Sequence, residues 1–249
     1  MLNTNTKTRE FKFDSTHYIK ALFELMKPRV MSLAIFTCVV GFLIAPYKSV
    51  DYLFAILSII AVALGSGAAG SLNCWYEADV DKVMSRTCLR PIPTGRLTKK
   101  EALIFGVISS FVSVVALYFF SNLMAASLLA LTILFYVFVY TIWLKKKTPQ
   151  NIVIGGAAGA LPPVIGWAIA TGSVSIEPII LFLIIFVWTP SHFWALSLFK
   201  SEDYKKANIP MLPVTSGVEI TKKNIFVYSI LLFPVAIAPY YLDFLGLIY

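Results

Sequence analysis

The chain has 249 residues, of which 58% are hydrophobic and 14% are charged. Together with a mean hydropathy of +0.79, this composition excludes an ordinary soluble domain and indicates a polytopic membrane protein. The net charge of +8 points first to membrane topology and second to an anionic lipid or phosphate partner; we expect no nucleic-acid partner.

Seven apolar stretches are long enough to cross a bilayer core of about 30 Å, which requires about 20 helical residues. We therefore predict an all-α, polytopic transmembrane bundle of about seven helices, forming a single domain over residues 1–249. The predicted spans are 30–47, 52–75, 102–120, 123–144, 152–170, 178–198 and 225–242.

The basic residues predict the orientation of this bundle. All but one of the 21 Lys and Arg residues lie before span 1, between spans 2 and 3, after span 4 or between spans 6 and 7. Lys and Arg close to the ends of membrane spans usually lie on the cytoplasmic side. We therefore expect a cytoplasmic N-terminus and two long cytoplasmic loops. We expect the cell inner membrane; Glu10, Asp14 and Glu24 disfavour a mitochondrial transit peptide and hence the mitochondrial inner membrane.

Span 1 is preceded by Lys27, Pro28 and Arg29. Proline suits the first turn of a helix. The two cations could anchor the helix at the inner membrane face or contact a phosphate group, and the residues alone leave both interpretations open.

Span 2 ends in a group of oxygen-bearing side chains, which are Asn73, Glu77, Asp79 and Asp81. At 100° per residue, positions 73, 77 and 81 share one helical stripe, whereas Asp79 points away unless the helix has already ended. Carboxylates suit Mg²⁺, and the following Arg86 and Arg90 suit phosphate oxygens. The pattern favours a diphosphate site, although ordinary salt bridges at the membrane boundary would also explain it.

Span 5 contains Gly155, Gly156, Gly159, Pro162, Pro163 and Gly166. Small residues permit close approach of helices in a membrane, and proline permits a kink. Helix packing is the favoured explanation of these glycines.

Span 6 and the loop after it carry His192, Asp203, Lys205 and Lys206. His192 and Asp203 are separated by three helical turns and have almost the same azimuth, so we expect His192 to face a cavity with Asp203 at its mouth. Asp203 and the two lysines could form a second metal or phosphate half-site, or simply a solvated helix end. His192 could be a core histidine, a base or a ligand of haem iron.

The pattern Asn73-x3-Glu77-x-Asp79-x-Asp81, followed by Arg86 and Arg90-Pro91, resembles the first aspartate-rich motif of the intramembrane aromatic prenyltransferases. Further segments at 27–30, 148–160, 162–167, 192–196 and 203–214 narrow the resemblance to the protohaem IX farnesyltransferases, also called haem O synthases.

This resemblance implies transfer of a farnesyl group from farnesyl diphosphate to a vinyl group of haem b, giving haem O and diphosphate, with Mg²⁺ as cofactor. The expected metal ligands are Glu77, Asp79, Asp81 and Asp203. The expected diphosphate ligands are Asn73, Arg86, Arg90, Lys27, Arg29, Lys205 and Lys206. Catalytic roles are expected for Asp79, Asp81, Asp203 and His192. A haem A synthase or a terminal oxidase is the expected recipient of the product.

The chain departs from the family pattern in two places. Many relatives have Asp where this chain has Glu77, and the family usually has nine spans, so either the sequence is truncated or the bundle lacks two helices. A quinone precursor or chlorophyllide remains an alternative acceptor. A transporter is disfavoured because it would place polar groups near the middle of several helices.

Overall fold

The computed structural model of the chain describes residues 15–46 and 51–246. Tyr47, where the first span was predicted to end, and the basic residues Lys7, Arg9, Lys12 and Lys48 lie outside these ranges. The described residues form helices without a strand. In chain order they are α1 (Ser15–Leu25), α2 (Pro28–Leu43), α3 (Tyr52–Tyr76), α4 (Ala78–Val83), α5 (Lys99–Phe120), α6 (Leu123–Leu134), a π-helical segment (Phe135–Leu144), α7 (Asn151–Ala160), α8 (Pro162–Thr171), α9 (Ile176–Phe199), α10 (Ser201–Lys206), α11 (Leu212–Thr215) and α12 (Gly217–Tyr241).

The predicted membrane architecture is confirmed. Across the described part of the chain, six helices are long and apolar enough to cross a membrane, and the bent pair of α1 and α2 makes a seventh candidate. The pair bends by 55° at Lys27, whose φ of 56° lies in the left-handed region and so interrupts the helix immediately before Pro28. The chain is a multi-pass membrane protein.

The fourth and seventh spans differ in detail from the prediction, and the fifth shows the break that its prolines indicated. The fourth continues from α6 into the π-helical segment, which repeating apolar residues did not reveal. The fifth is broken into α7 and α8 just before Pro162, as the proline pair predicted, because proline cannot continue the backbone hydrogen bonding of a helix. The seventh begins at Gly217 rather than at 225, since a helix can extend beyond the apolar segment that predicts it.

Close contacts between glycine and neighbouring elements hold the helices together. A Cβ at Gly166 of α8 would lie 1.9 Å from the carbonyl oxygen of Cys38 in α2. A Cβ at Gly155 would lie 2.1 Å from the Tyr140 ring, and one at Gly156 would lie 2.9 Å from Thr189 Cγ2. The predicted packing role of the span 5 glycines is therefore confirmed at these three positions.

The segments with candidate site residues meet at one end of the bundle, which we call the motif end. There, Ala21 and Leu25 of α1 pack in one apolar cluster with residues that include Cys74 and Ala78. Arg96 makes an ion pair of 2.6 Å with Glu24, which ties the loop after α4 to α1. A second cluster joins Met84, Ile152, Tyr204, Ile209 and Met211, so both long loops are packed against the bundle.

Candidate diphosphate and metal site

The candidate site is built around three buried side chains on one stripe of α3 and its continuation. Asn73, Glu77 and Asp81 are all buried, and the four-residue spacing places them one helical turn apart. Each contacts a cation from a different segment of the chain. We call this set of three pairs the charge ladder: Lys27 with Asn73, Lys145 with Glu77 and Arg90 with Asp81.

The first pair of the charge ladder links α3 to the bend between α1 and α2. Lys27 Nζ donates a hydrogen bond to Asn73 Oδ1. Asn73 Nδ2 in turn donates to Thr141 Oγ1 in the π-helical segment at 3.1 Å. The amide of Asn73 is thereby fixed with its oxygen toward a cation.

The second pair is an ion pair in which Lys145 Nζ lies 2.6 Å from Glu77 Oε2. The Glu77 side chain is 4% exposed and that of Lys145 is 18% exposed. Burial alone would raise the pKa of Glu77, but the ammonium groups of Lys145 and Lys27 hold the pKa of this carboxyl below its ordinary value. Burial alone would lower the pKa of Lys145, yet the Glu77 carboxylate raises the pKa of Lys145 above its ordinary value. Both groups are therefore charged at neutral pH.

The third pair is bidentate. Arg90 Nη1 donates to Asp81 Oδ1 at 2.9 Å and to Asp81 Oδ2 at 2.8 Å. Thr87 Oγ1 also donates to the backbone carbonyl of Asp81 at 3.1 Å, which folds the loop back over the end of α4. A guanidinium held in this position can bind either a carboxylate or a phosphate oxygen.

Asp79 points away from the charge ladder, in the direction that helical geometry predicted. Its side chain is 73% exposed and lies 2.7 Å from Lys99 Nζ. The hydrogen bond from Lys99 holds the pKa of the Asp79 carboxyl below its ordinary value. Its role as a metal ligand remains a prediction.

Asp203 reaches the first loop from α10. It accepts a hydrogen bond from Ser85 Oγ, which is contributed by the loop after α4. The two aspartate-bearing loops are therefore in contact at the motif end, as the prediction of two facing half-sites requires. The other predicted phosphate ligands are exposed around this region: Arg29, Arg86, Lys205 and Lys206.

The prediction that His192 faces an internal cavity is wrong. His192 is exposed and stacks on Trp188, with ring centroids 4.3 Å apart. The inward positions of this part of α9 are filled by Thr189, which lies against Gly156 of α7, and by Trp194, which packs on Tyr228 of α12. The angular position of His192 relative to Asp203 does not show which face of α9 the neighbouring helices cover.

A cavity of about 120 Å³ runs from the charge ladder into the bundle. Lys27 and Gly70 lie at its polar end, and the remaining wall is mostly apolar, including Val62, Leu129 and Ile165. Lys27 belongs both to the cavity wall and to the charge ladder. The site thus joins a charged head to an apolar pocket.

Two residues of this site were not predicted from the sequence. Lys145 was interpreted only as part of a basic cluster after span 4, and Tyr136, which lines the cavity, was not singled out. Both depend on the π-helical segment, in which the Lys145 amide donates to the carbonyl of Tyr140, five residues earlier, at 3.0 Å. Such segments frequently occur at functional sites, but no simple sequence pattern marks them.

The oxygen ligands suit a hard divalent cation, but they are not preassembled around one. Within residues 15–46 and 51–246, no group of three or more His, Cys, Asp or Glu side chains is close enough to hold a metal ion. Mg²⁺ is usually held by one or two carboxylates together with substrate phosphate oxygens. The buried carboxylates of Glu77 and Asp81 therefore fit Mg²⁺ that binds together with a diphosphate.

Replacing Lys145 tests the second pair of the charge ladder. We expect Lys145→Met to lower the thermal unfolding midpoint in detergent, because it leaves the Glu77 carboxylate buried without its nearest cation. Breaking a buried pair costs about 3–5 kcal/mol, and the partial exposure of Lys145 places the loss below that range. The double variant Glu77→Gln/Lys145→Met should recover most of the loss, whereas Lys146→Met, at the exposed neighbouring position, should have little effect. An unchanged midpoint in Lys145→Met would contradict the assigned pair.

The chain matches the UbiA prenyltransferase family over residues 34–249. It is 63% identical to the protoheme IX farnesyltransferase of Pelagibacter ubique over 249 residues, covering 100% of this chain and 82% of that protein.

Two solved structures share the fold. A digeranylgeranylglyceryl phosphate synthase superimposes with a TM-score of 0.76 at 22% identity, covering 92% of this chain and 80% of the other. A UbiA homologue from Archaeoglobus fulgidus, bound to DMAPP and Mg²⁺, superimposes with a TM-score of 0.71 at 19% identity, covering 86% and 75% of the two chains. The family match and the high-identity relative lead to one conclusion: the chain belongs to the UbiA prenyltransferase family.

Proposed function

We propose that the chain transfers a farnesyl group from farnesyl diphosphate to a vinyl group of haem b, forming haem O and diphosphate. The observation that carries this proposal is the junction at Lys27, where the charge ladder meets an apolar cavity. A prenyl diphosphate has the same construction, with a charged head on an apolar chain. The choice of farnesyl and haem rests on the name of the 63% identical relative.

The charge ladder supplies what departure of the diphosphate requires. Lys27, Lys145 and Arg90 present three cations around one helical stripe. Cations placed where negative charge develops stabilise the leaving group as the bond between the farnesyl C1 and oxygen breaks. The exposed cations at the motif end, Arg29, Arg86, Lys205 and Lys206, would attract the substrate to the site.

Glu77, Asp81 and Asp203 would hold Mg²⁺ together with the diphosphate oxygens, with Asn73 as a neutral oxygen donor and Asp79 at the exposed margin. When bound, Mg²⁺ would neutralise part of the diphosphate charge as a Lewis acid. Each ladder carboxylate now contacts a cation of the chain. Binding of metal and diphosphate together would let these cations turn from carboxylate to phosphate.

The apolar cavity would hold the farnesyl chain and exclude water from C1. Tyr136 lines the cavity and packs on Tyr140, with ring centroids 5.4 Å apart. An aromatic face stabilises nearby positive charge, so Tyr136 is suited to an allylic cation. A carbon–carbon bond then forms to the vinyl group, and water supplies the hydroxyl of the product and releases a proton.

Haem b would approach from the bilayer, where His192 and Trp188 form a stacked pair on the exposed face of α9. A planar aromatic surface with an imidazole suits a porphyrin and its iron. His192 therefore keeps its proposed role toward haem, at a location different from the one predicted.

We also propose a membrane, an orientation and a recipient of the product. Residues 1–249 would act as one prenyltransferase domain in the cell inner membrane, with the N-terminus and the motif end in the cytoplasm. The distribution of Lys and Arg supports this orientation. A haem A synthase or a terminal oxidase would receive haem O.

An assay with defined acceptors tests the proposed reaction. Membranes containing the chain should convert haem b, farnesyl diphosphate and Mg²⁺ to haem O, detected by mass spectrometry of the extracted haem. Parallel reactions should offer a quinone precursor or chlorophyllide as acceptor. Prenylation of one of those acceptors without haem O would contradict haem b as the substrate.

Within the same assay, Asp81→Asn should lower kcat/KM by about 10²–10³-fold, the range for loss of one transition-state stabilising group. The matched control is Asp243→Asn, which changes an exposed carboxylate outside the charge ladder and should leave the rate unchanged. Near-normal turnover in an Asp81→Asn protein that inserts normally would contradict the proposed metal site.

Replacement of His192 tests the acceptor face. His192→Ala should weaken haem b binding several-fold in a spectroscopic titration while leaving the affinity for farnesyl diphosphate unchanged. Leu196→Ala, one turn further along the exposed face of α9, removes apolar surface without removing a possible iron ligand and serves as the control. Equal haem affinities in wild type and His192→Ala would return His192 to a packing role.

A further inference from the structure

One glycine of the α7 and α8 pair has no packing explanation. A Cβ at Gly155, Gly156 or Gly166 would come within 3 Å of a neighbouring element, whereas a Cβ at Gly159 would meet no atom within 4 Å. Glycine is also one of the least favourable residues inside a helix. Neither close packing nor helix formation therefore accounts for the missing side chain at position 159.

Gly159 borders the same cavity that begins at Lys27. The same cavity is also lined by α2 and the π-helical segment, represented by Ala34 and Tyr136. Gly159 is exposed, and a side chain at position 159 would occupy open space at this wall. The cavity extends from Lys27 to Ala34 along α2, a distance of about 10 Å at the helical rise per residue. Added bulk at position 159 would therefore reduce the space beside the cavity.

We propose that Gly159 is a specificity-determining residue that provides room for the prenyl chain and so sets which chain lengths the site accepts. This inference rests on the proposed function, because it assumes that the diphosphate lies at the charge ladder. A narrow cavity of about 120 Å³ with an apolar wall suits a flexible hydrocarbon chain better than a rigid porphyrin. The occupant assigned to this wall is therefore the donor's prenyl chain.

The test compares chain-length selectivity in Gly159→Leu and wild type. Geranyl, farnesyl and geranylgeranyl diphosphates are each supplied with haem b and Mg²⁺, and kcat and KM are measured separately. We expect the ratio of geranyl to farnesyl kcat/KM to rise about tenfold or more in Gly159→Leu, since a single methylene group in an apolar pocket is worth about 10–200-fold. The change should arise mainly from a higher KM for the longer chains.

The matched control is Ile154→Phe, which adds bulk at an exposed position of the same helix outside the cavity and should leave the ratio unchanged. A Gly159→Leu enzyme with wild-type selectivity, or one with a raised KM for haem b alone, would overturn the proposal. Gly159→Ala adds one methyl group and should shift the ratio in the same direction. If Gly159→Leu does not fold, the selectivity of Gly159→Ala tests the role of Gly159 by the same criterion.

Competition binding with non-hydrolysable geranyl and farnesyl thiodiphosphates separates this inference from the proposed reaction. A wild type that transfers no prenyl group to haem b would contradict the proposed function, while the binding ratio in Gly159→Leu would still measure chain-length selection. An unchanged binding ratio in that variant would contradict the role of Gly159.

Discussion

The site depends on one constraint, which is that Glu77 and Asp81 are buried as carboxylates at the end of a membrane helix. A buried charge requires a partner. The chain supplies cations from separate segments: Lys145 after the π-helical segment and Arg90 in the loop after α4. Lys27, at the bend between α1 and α2, contacts the neighbouring Asn73. The bend, the π-helical segment and the folded loop each bring one cation to the same stripe of α3.

The charge ladder also explains how one site could bind both a charged head and an apolar chain. Lys27 lies at the polar end of the cavity, where we propose that the diphosphate binds, and Gly70, less than one turn before Asn73, is part of the wall. Lys27 belongs both to the charge ladder and to the cavity wall. The charged head and the apolar chain of one substrate would therefore be bound directly next to each other. The apolar cluster that contains Met84 and Tyr204 and the contact between Ser85 and Asp203 hold the second loop at the same end of the bundle.

Much of this arrangement could be predicted because it follows from the length of the apolar stretches and from the spacing of residues along a helix. Apolar stretches predicted the membrane spans, and the four-residue spacing predicted that Asn73, Glu77 and Asp81 share a stripe from which Asp79 points away. Prediction failed where neighbouring elements decide the outcome. The face of α9 that carries His192 is set by packing on α7 and α12, and the position of Lys145 depends on a local change of helix type. The spacing of apolar residues within a segment reveals neither the covered face of a helix nor a local change of helix type.

The most direct test of the charge ladder is the coupling between divalent cation and diphosphate binding. The carboxylates of Glu77 and Asp81 contact cations of the chain, and no three-ligand metal group is assembled in the described residues, so each ligand should bind weakly alone. Manganese can be titrated into the purified protein by electron paramagnetic resonance, with and without farnesyl thiodiphosphate. The account predicts that the analogue raises manganese affinity by about 5–150-fold, the usual range of coupling between two ligands. Equal manganese affinity with and without the analogue would contradict it.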